Sequence, residues 1–435
     1  MSRPQPSPSH RFSSAHVLAF VSARRLPFRP SPLRAGLAFV LGALATCAHA
    51  APTFSFGGFG TLTAVHSTER QADYTASPIS PGTAGYGKQW AFDVDTRAGA
   101  QVRAQFDRRW SAVVQVVEER GVDHSYAPHL EWANVKFQVT PDLALRAGRI
   151  ALPLFLTADY RKAGYALPWL RAPVELYSIM PISNSDGLDA SYRWDGFGAR
   201  HETQLMAGRA SVDLAPGISG RTDRVLGITH TASAGALTVR GTAARANLKI
   251  GGAEEYFDAF RSFGPTGVAL ADRYDIANRN VVVLSAGFSY DPGGWFVMGE
   301  IGRVNTRSVL GDQTAGYLSG GYRIGTLTPY ATYAKVDVNM PTSTEGLPVA
   351  GLPPQLGGLA TLLNTDLNNR LRSIGVQDTA SIGLRWDFAR NFAWKMQLDR
   401  VQPKGGSMGT LTNVQPGFRS GHAFGVVSAG IDFVF

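Results

Sequence analysis

The sequence predicts an all-β fold, a transmembrane up-and-down antiparallel β-barrel of about sixteen strands. Three observations predict it. Segments with period-two alternation recur from residue 53 to the C-terminus. The gaps between them alternate, short then long, without exception. The segments oppose an apolar face to a polar one, and the polar face carries charges that a dry core would reject.

Only 17% of the 435 residues are charged, below the roughly 25% of a soluble globular domain, while 44% are hydrophobic. That apolar content and the low net charge per residue exclude a disordered chain. No run of about 20 apolar residues exists outside an N-terminal leader, which excludes a helical membrane protein. Residues 1–50 read as that leader, a secretory signal peptide. They hold Arg3, Arg11, Arg24, Arg25, Arg29 and Arg34 before the apolar run Ala35–Ala45, with Ala48-His49-Ala50 as the cleavage site. Cleavage after Ala50 removes six Arg and lowers the net charge from +9 to +3, so nucleic acid loses its electrostatic basis as a partner. The single cysteine, Cys47, leaves with the leader, and Thr46 before it fits lipoprotein acylation poorly. Residues 51–435 are then one domain without a disulfide, and a closed sheet is a way to hold it together.

The sixteen segments are 53–65, 90–106, 110–118, 130–139, 142–149, 187–194, 200–208, 224–232, 236–246, 280–290, 295–304, 315–324, 327–338, 378–388, 391–401 and 423–435. The short gaps are 107–109, 140–141, 195–198, 233–235, 291–294, 325–326 and 389–390. The long ones are 66–89, 119–129, 150–186, 209–223, 247–279, 305–314, 339–377 and 402–422. A soluble sandwich has no reason to gather every long connection at one end. A barrel with short periplasmic turns and long extracellular loops does.

The faces agree. In 90–106, Val94, Ala98, Val102 and Phe106 oppose Asp93, Asp95, Arg97 and Arg103, and in 391–401, Trp394, Met396 and Leu398 oppose Lys395, Gln397 and Asp399. A wet interior with lipid outside is the arrangement this describes. Aromatic residues gather beside the short turns (Trp110, Trp194, Tyr290, Trp295, Trp386, Phe388, Phe392 and Trp394), where a headgroup-level belt is expected.

The last segment ends on Ile431, Phe433 and Phe435 along one face. An amphipathic final strand with a terminal Phe resembles the assembly signal of Gram-negative outer-membrane barrels. With the leader and the loop alternation, residues 51–435 resemble a general bacterial porin of the trimeric sixteen-stranded superfamily. The resemblance implies an outer-membrane homotrimer, contact with the lipid bilayer and lipopolysaccharide, and delivery by the barrel-assembly machinery. It also implies a third long loop folded into the barrel as a constriction, here residues 150–186.

That loop is rich in Tyr, Trp and Pro, a composition unlike a loose exposed tip. Inside the lumen, its Asp159 and Glu175 are expected to face the wall residues Arg97, Arg103, Arg146, Arg149 and Lys395. Opposed charges at a narrow point filter solutes by size and sign. Ten basic and nine acidic positions read as inward, and the loop adds Arg161, Lys162 and Arg171. The expected balance leans toward anions.

Two catalytic look-alikes lack their context. Gly405-Gly406-Ser407-Met408-Gly409 matches a nucleophile elbow but has no strand-to-helix turn. Residues 82–88 approach a phosphate-binding loop, but Gln89 stands where Ser or Thr must hold the metal. His124, His129 and His230 lack metal-ligand spacing. No enzyme, metal or cofactor is expected. The expected function is passive diffusion of small hydrophilic solutes and ions through a water-filled channel. The alternatives are a substrate-specific channel with a lumenal binding site and, further off, an outer-membrane barrel lipase. A translocator barrel is disfavoured because the first strand starts almost at the leader, leaving no room for a passenger.

Overall fold

The computed structural model describes residues 51–251 and 253–435; the leader expected over 1–50 lies outside them. The strands in chain order are β1 (Thr53–Ser67), β2 (Asp73–Tyr74), β3 (Ala84–Gly85), β4 (Arg97–Gln105), β5 (Trp110–Glu119), β6 (His129–Gln138), β7 (Leu143–Ala151), β8 (Asn184–Gly196) and β9 (Ala199–Ala215). They continue with β10 (Ile218–Ala234), β11 (Leu237–Ile250), β12 (Arg279–Tyr290), β13 (Trp295–Asn305), β14 (Gln313–Tyr322), β15 (Leu327–Val338), β16 (Gln377–Ala389), β17 (Phe392–Pro403) and β18 (Phe424–Val434). β1 and β4–β18 form one closed barrel in which each strand pairs with its sequence neighbour, and β2–β3 is a small ribbon in the first long loop. Sixteen strands therefore close the barrel, as the alternation predicts. Among the described residues no helix is long and apolar enough to cross a membrane.

Closure runs through β1. Its first half pairs with β4, from Thr53↔Gln105 to Thr61↔Arg97, and its second half pairs with β18, from Phe59↔Val434 to Ser67↔Val426. With no free edge, each barrel strand is hydrogen-bonded to a neighbour on both sides, which is the condition for crossing hydrocarbon. On the outer wall, the ring of Phe433 covers Gly60 and that of Phe435 covers Gly58. A Cβ at either glycine would meet ring carbon at 2.3 Å. The short-turn belt is present as clustered rings, with centroids 5.3 Å apart for Tyr290–Trp295, 5.6 Å for Trp386–Phe388 and 4.5 Å for Trp110–Phe137.

Three strand ends differ from the sequence reading by more than four residues. The second barrel strand begins at Arg97 rather than residue 90, because residues 90–96 belong to the first loop and share only one β-bridge with β1, between Val65 and Ala91. The expected loop 209–223 is instead the far half of a hairpin, β9 and β10 at 17 residues each around Gly217. There Val212 and Leu214 share the inward face with Ala210, while Arg209, Ser211 and Asp213 point out, so the polarity of the two faces inverts. Such a face suits water outside the wall rather than hydrocarbon.

The long gaps 247–279 and 339–377 carry helices that an all-strand reading omits: α2 (Ala253–Arg261), α3 (Gly264–Tyr274) and α4 (Pro354–Arg372). A further short one, α1 (Val174–Tyr177), lies in the third long loop. Phe257, Phe260, Ala271, Ala360, Leu363, Leu367 and Leu371 join one apolar cluster with inward strand residues such as Leu248. The Arg370 guanidinium sits 4.9 Å from the Tyr256 ring centroid, within range of a cation–π contact.

Candidate pore constriction

The third long loop, residues 152–183, lies inside the barrel. Its buried apolar residues Leu152, Leu154, Phe155, Leu156, Leu167, Trp169, Leu176 and Ile179 share a cluster with the inward residues Met206, Val283, Met298, Tyr317, Tyr330 and Ala334. A buried loop must also find partners for its backbone, and the wall supplies them. Thr229 and Thr242 donate to the Pro153 carbonyl at 3.2 and 3.0 Å, Ser285 to that of Leu154 at 2.6 Å, and Arg240 to those of Phe155 and Leu156. The Glu300 carboxylate accepts the Leu156 N–H at 2.7 Å. On the other side, Lys395 donates to the carbonyls of Gly164, Leu167 and Trp169 at 2.7–2.9 Å, and Arg385 donates to those of Tyr165 and Leu167. From β10 round to β18 the polar wall is thus the hydrogen-bonding complement of the loop.

The expected site residues separate into distinct roles. Arg171 is buried and pinned between two carboxylates, Asp95 at 2.6 Å and Asp399 at 3.2 Å, with Ser428 and the Tyr74 hydroxyl alongside. Among the described residues Glu175 pairs with no cation. Gln377 donates to it at 2.6 Å, Thr379 donates as well, and burial pushes its carboxyl above the usual carboxylate range. Asp159 pairs with Arg240 at 2.9 Å, and Lys162 bonds Glu119. Arg161 donates to the Pro181 carbonyl at 2.5 Å, tying the loop to itself. Lys395 is wholly buried beneath the loop and pairs with Asp432 at 2.7 Å.

The arc β4–β8 bears the remaining wall residues. Arg97 approaches Glu119 at 3.9 Å, and Arg146 clamps Asp189 with Nε at 2.9–3.0 Å and Nη2 at 2.8 Å. Glu131 is taken by His129 at 3.4 Å and the Asn184 amide at 3.2 Å. Arg103 and Lys136, inward on either side of β5, have no acidic partner among the described residues. Arg149 corrects the sequence reading. Arg146 and Arg149 are three residues apart on one strand, so they face opposite sides. Arg149 lies on the outer wall, holding Asp186 at 2.7 and 2.8 Å.

Several contributors were not singled out as constriction residues. Asp95, Tyr74 and Asp399 around Arg171, Glu300, Arg240, and Glu119 at the loop tip all hold the loop in place. Their inward parity was legible for Asp95, Arg240, Glu300 and Asp399; their engagement with the loop was not. Tyr74 and Asp95 also bring the first long loop into the lumen. There the phosphate-loop look-alike is spent on local contacts: Thr83 donates to Asp93 at 2.7 Å and Gly87 to Asp73 at 2.6 Å. Ser407 is a staple between its own loop and the long loop that precedes β16. It donates to the Ile374 carbonyl at 2.6 Å and accepts the N–H groups of Val376 and Gly409.

No family model matches the sequence, and no curated protein matches it. Solved structures do. An anion-selective porin from Comamonas acidovorans aligns over 88% of this chain and 100% of its own, with TM-score 0.53 and 12% identity. The outer-membrane channel DcaP of Acinetobacter baumannii aligns over 89% and 99%, with TM-score 0.52 and 11% identity. Salmonella typhi OmpF, in complex with daunomycin, aligns over 88% and 97%, with TM-score 0.50 and 12% identity. In its barrel closure, its strand count and its inward loop, the chain has the fold of the sixteen-stranded Gram-negative outer-membrane porins.

Proposed function

We propose that the protein is an outer-membrane porin that passes small hydrophilic solutes and ions by diffusion, with a weak preference for anions. A channel of this kind has no chemical step; flux follows the gradient. The observation that carries the reading is the third loop laid against β10–β18, with the arc β4–β8 as the opposing lumenal wall. On that arc Glu119 and Asp189 pair with Arg97 and Arg146, and Glu131 meets the His129 ring and the Asn184 amide, whereas Arg103 and Lys136 have no acidic partner among the described residues. The uncompensated charge is positive, and a narrow polar pore selects by such charge.

Export by a leader cleaved after Ala50, assembly signalled by Phe435, and a homotrimer complete the proposal. The outward residues Ala98, Ala100, Ala112 and Ala133 give one sector a flat surface that suits close approach of a second copy. A substrate-specific channel is the second reading. It is favoured by the Arg171 contacts to Asp95 and Tyr74, which draw the first loop inward beside the third.

Conductance of the purified protein in a planar bilayer tests the proposal. Steps in groups of three, and reversal potentials in a salt gradient of the sign for anions, are expected. Absence of channels removes the reading, and clear cation preference removes the selectivity. Saturation of single-channel current by a sugar, phosphate or carboxylate selects the specific channel instead.

A further inference from the structure

Along five consecutive strands the lumenal face changes polarity at one level. On β11, Arg240 and Thr242 give way to Ala244 and Leu248; on β13, Glu300 gives way to Val304; on β15, Thr332 gives way to Val336. The strands between them run the other way, and there Val281 and Val283 precede Ser285 on β12, and Ala315 precedes Ser319 on β14. The ladders set these residues in rows, with Val283 opposite both Ala244 and Val304, and Ala315 opposite Val336. The polar rows hold the third loop. Besides the contacts of Arg240, Thr242, Ser285 and Glu300 already described, the Trp169 indole donates to Ser319 at 2.8 Å and to Thr332 at 3.1 Å. The apolar rows lie beyond it, toward the long-loop end.

Apolar side chains on the wall of a water-filled lumen would be wet, at a cost in free energy. These are dry: Leu248, Val283, Val304, Ala315 and Val336 are all buried. The helices share their apolar cluster, α2 through Phe257 and Phe260, α3 through Ala271 and α4 through Leu363 and Leu367. The helices are also braced by polar contacts between long connections. Arg261 of α2 pairs with Asp275, just beyond α3, at 2.7 Å. The Val309 N–H donates to the Tyr274 carbonyl at 3.0 Å, and the Gln313 amide to the Gly375 carbonyl at 2.9 Å. The Arg370–Tyr256 contact ties α4 to α2. At the same end of β5 and β6 the lumenal face is polar and open, and the His129 side chain keeps 40% of its exposure.

We propose that α2, α3 and α4 form a fixed roof over the β11–β15 half of the lumen, and that this roof sets the size limit for solutes arriving from the long-loop side, ahead of the third loop. A half filled with dry side chains has no room for a hydrated solute, so entry is confined to the opposite side. The roof puts apolar core rather than charge into the mouth, and a narrowed mouth selects by diameter. The class admitted is compact hydrophilic solutes, with extended oligomers of the same chemistry turned away. The short turns at the other mouth carry no helix, so the two mouths differ. The substrate class rests on the channel reading; the dry half of the lumen does not depend on conduction.

Graded polyethylene glycols, added to one side of a planar bilayer at a time, read each mouth separately, because a polymer that enters lowers the single-channel conductance. The wild type is expected to show a stricter cut-off from one side than from the other. Replacing residues 253–274 by a flexible Gly-Ser linker is expected to relax the stricter cut-off and leave the other unchanged. Phe257→Ala/Phe260→Ala, which loosens the roof without removing it, is expected to relax it in part. Equal cut-offs from both sides of the wild type overturn the proposal whether or not the linker variant folds, and so does a folded linker variant with both cut-offs unchanged. A second measurement needs no current. Leu248→Cys and His129→Cys, each in a Cys47→Ser background, are treated with a small thiol reagent on the folded full chain. A covered thiol reacts only through local opening, so Leu248→Cys is expected to react severalfold more slowly. Rapid reaction of Leu248→Cys in a barrel that conducts removes the roof alone; slow reaction in a barrel that does not conduct removes the channel reading and leaves the dry half standing.

Discussion

Lys395 and Asp432 form an ion pair at 2.7 Å with neither side chain reaching solvent, and the same ammonium binds three carbonyls of the lumenal loop. Asp432 in turn accepts the Thr61 hydroxyl at 2.5 Å. The strands that close the barrel and the loop that fills it thus share one charge. Removing one partner of a buried pair leaves an uncompensated ion, at a cost of about 3–5 kcal/mol. Lys395→Met is expected to lower the thermal unfolding temperature clearly and to add open-channel noise as the loop loosens. Lys395→Met/Asp432→Leu is expected to regain part of the stability but not the quiet current. A single variant as stable and as quiet as the wild type removes this account.

Selectivity is predicted to follow the two unmatched cations of the arc. Arg103→Glu with Lys136→Glu replaces uncompensated positive charge by negative on both sides of β5. The zero-current potential in a salt gradient is expected to change sign, with the barrel still folded. Arg149→Glu serves as the control, because Arg149 faces the outer wall and pairs with Asp186 there. Its effect on the potential is expected to be small; a shift as large as that of the double variant would place the selecting charge elsewhere.

Glu175 carries a pH prediction. Burial raises its carboxyl above the ordinary range, and the hydrogen bonds from Thr379 and Gln377 oppose but do not cancel that effect. A carboxyl with a raised folded-state pKa contributes stability that is present below its unfolded value, about 4.3. The contribution is lost as pH rises through the folded value. Denaturant midpoints of the wild type minus those of Glu175→Gln are therefore expected to decline from pH 4 toward neutrality. A difference that stays flat, or that grows with pH, contradicts the sign.

The barrel was legible in the sequence because two signals are independent of contact detail. Strand period sets one face to lipid, and membrane crossing sorts the gaps into short and long. Both depend on the bilayer, so both failed where the chain leaves it. Beyond Arg209 the apolar residues Val212 and Leu214 turn inward, and an outward-apolar pattern no longer describes β9. α4 carries the helical spacing of Ala360, Leu363, Leu367 and Leu371 inside a gap that the strand pattern takes for a loop. At the constriction, alternation gave the side of the wall for Arg97, Arg103 and Arg146. Strict application of the same rule would have put Arg149 outside. What no pattern reveals is pairing: the sequence sets Lys395 opposite Asp159 and Glu175 of the loop, and only the fold shows it consumed by Asp432 and the loop carbonyls.

The terminal strand yields the last prediction. Phe433 lies over Gly60 and Phe435 over Gly58, so the closing strand and its partner fit through rings seated on bare backbone. Gly60→Val places side-chain carbon within the volume of the Phe433 ring, since a Cβ there would already stand 2.3 Å from it. The ring then leaves the wall or the β1–β18 register gives way. The folded, heat-modifiable fraction on cold gel electrophoresis is expected to fall severalfold. Gly60→Val/Phe433→Ala, with the space vacated, is expected to recover much of it, because the lesion is a collision rather than a weakened strand. Gly60→Val assembling at wild-type yield, or the double variant assembling no better than the single, would show that ring-on-glycine packing does not govern closure.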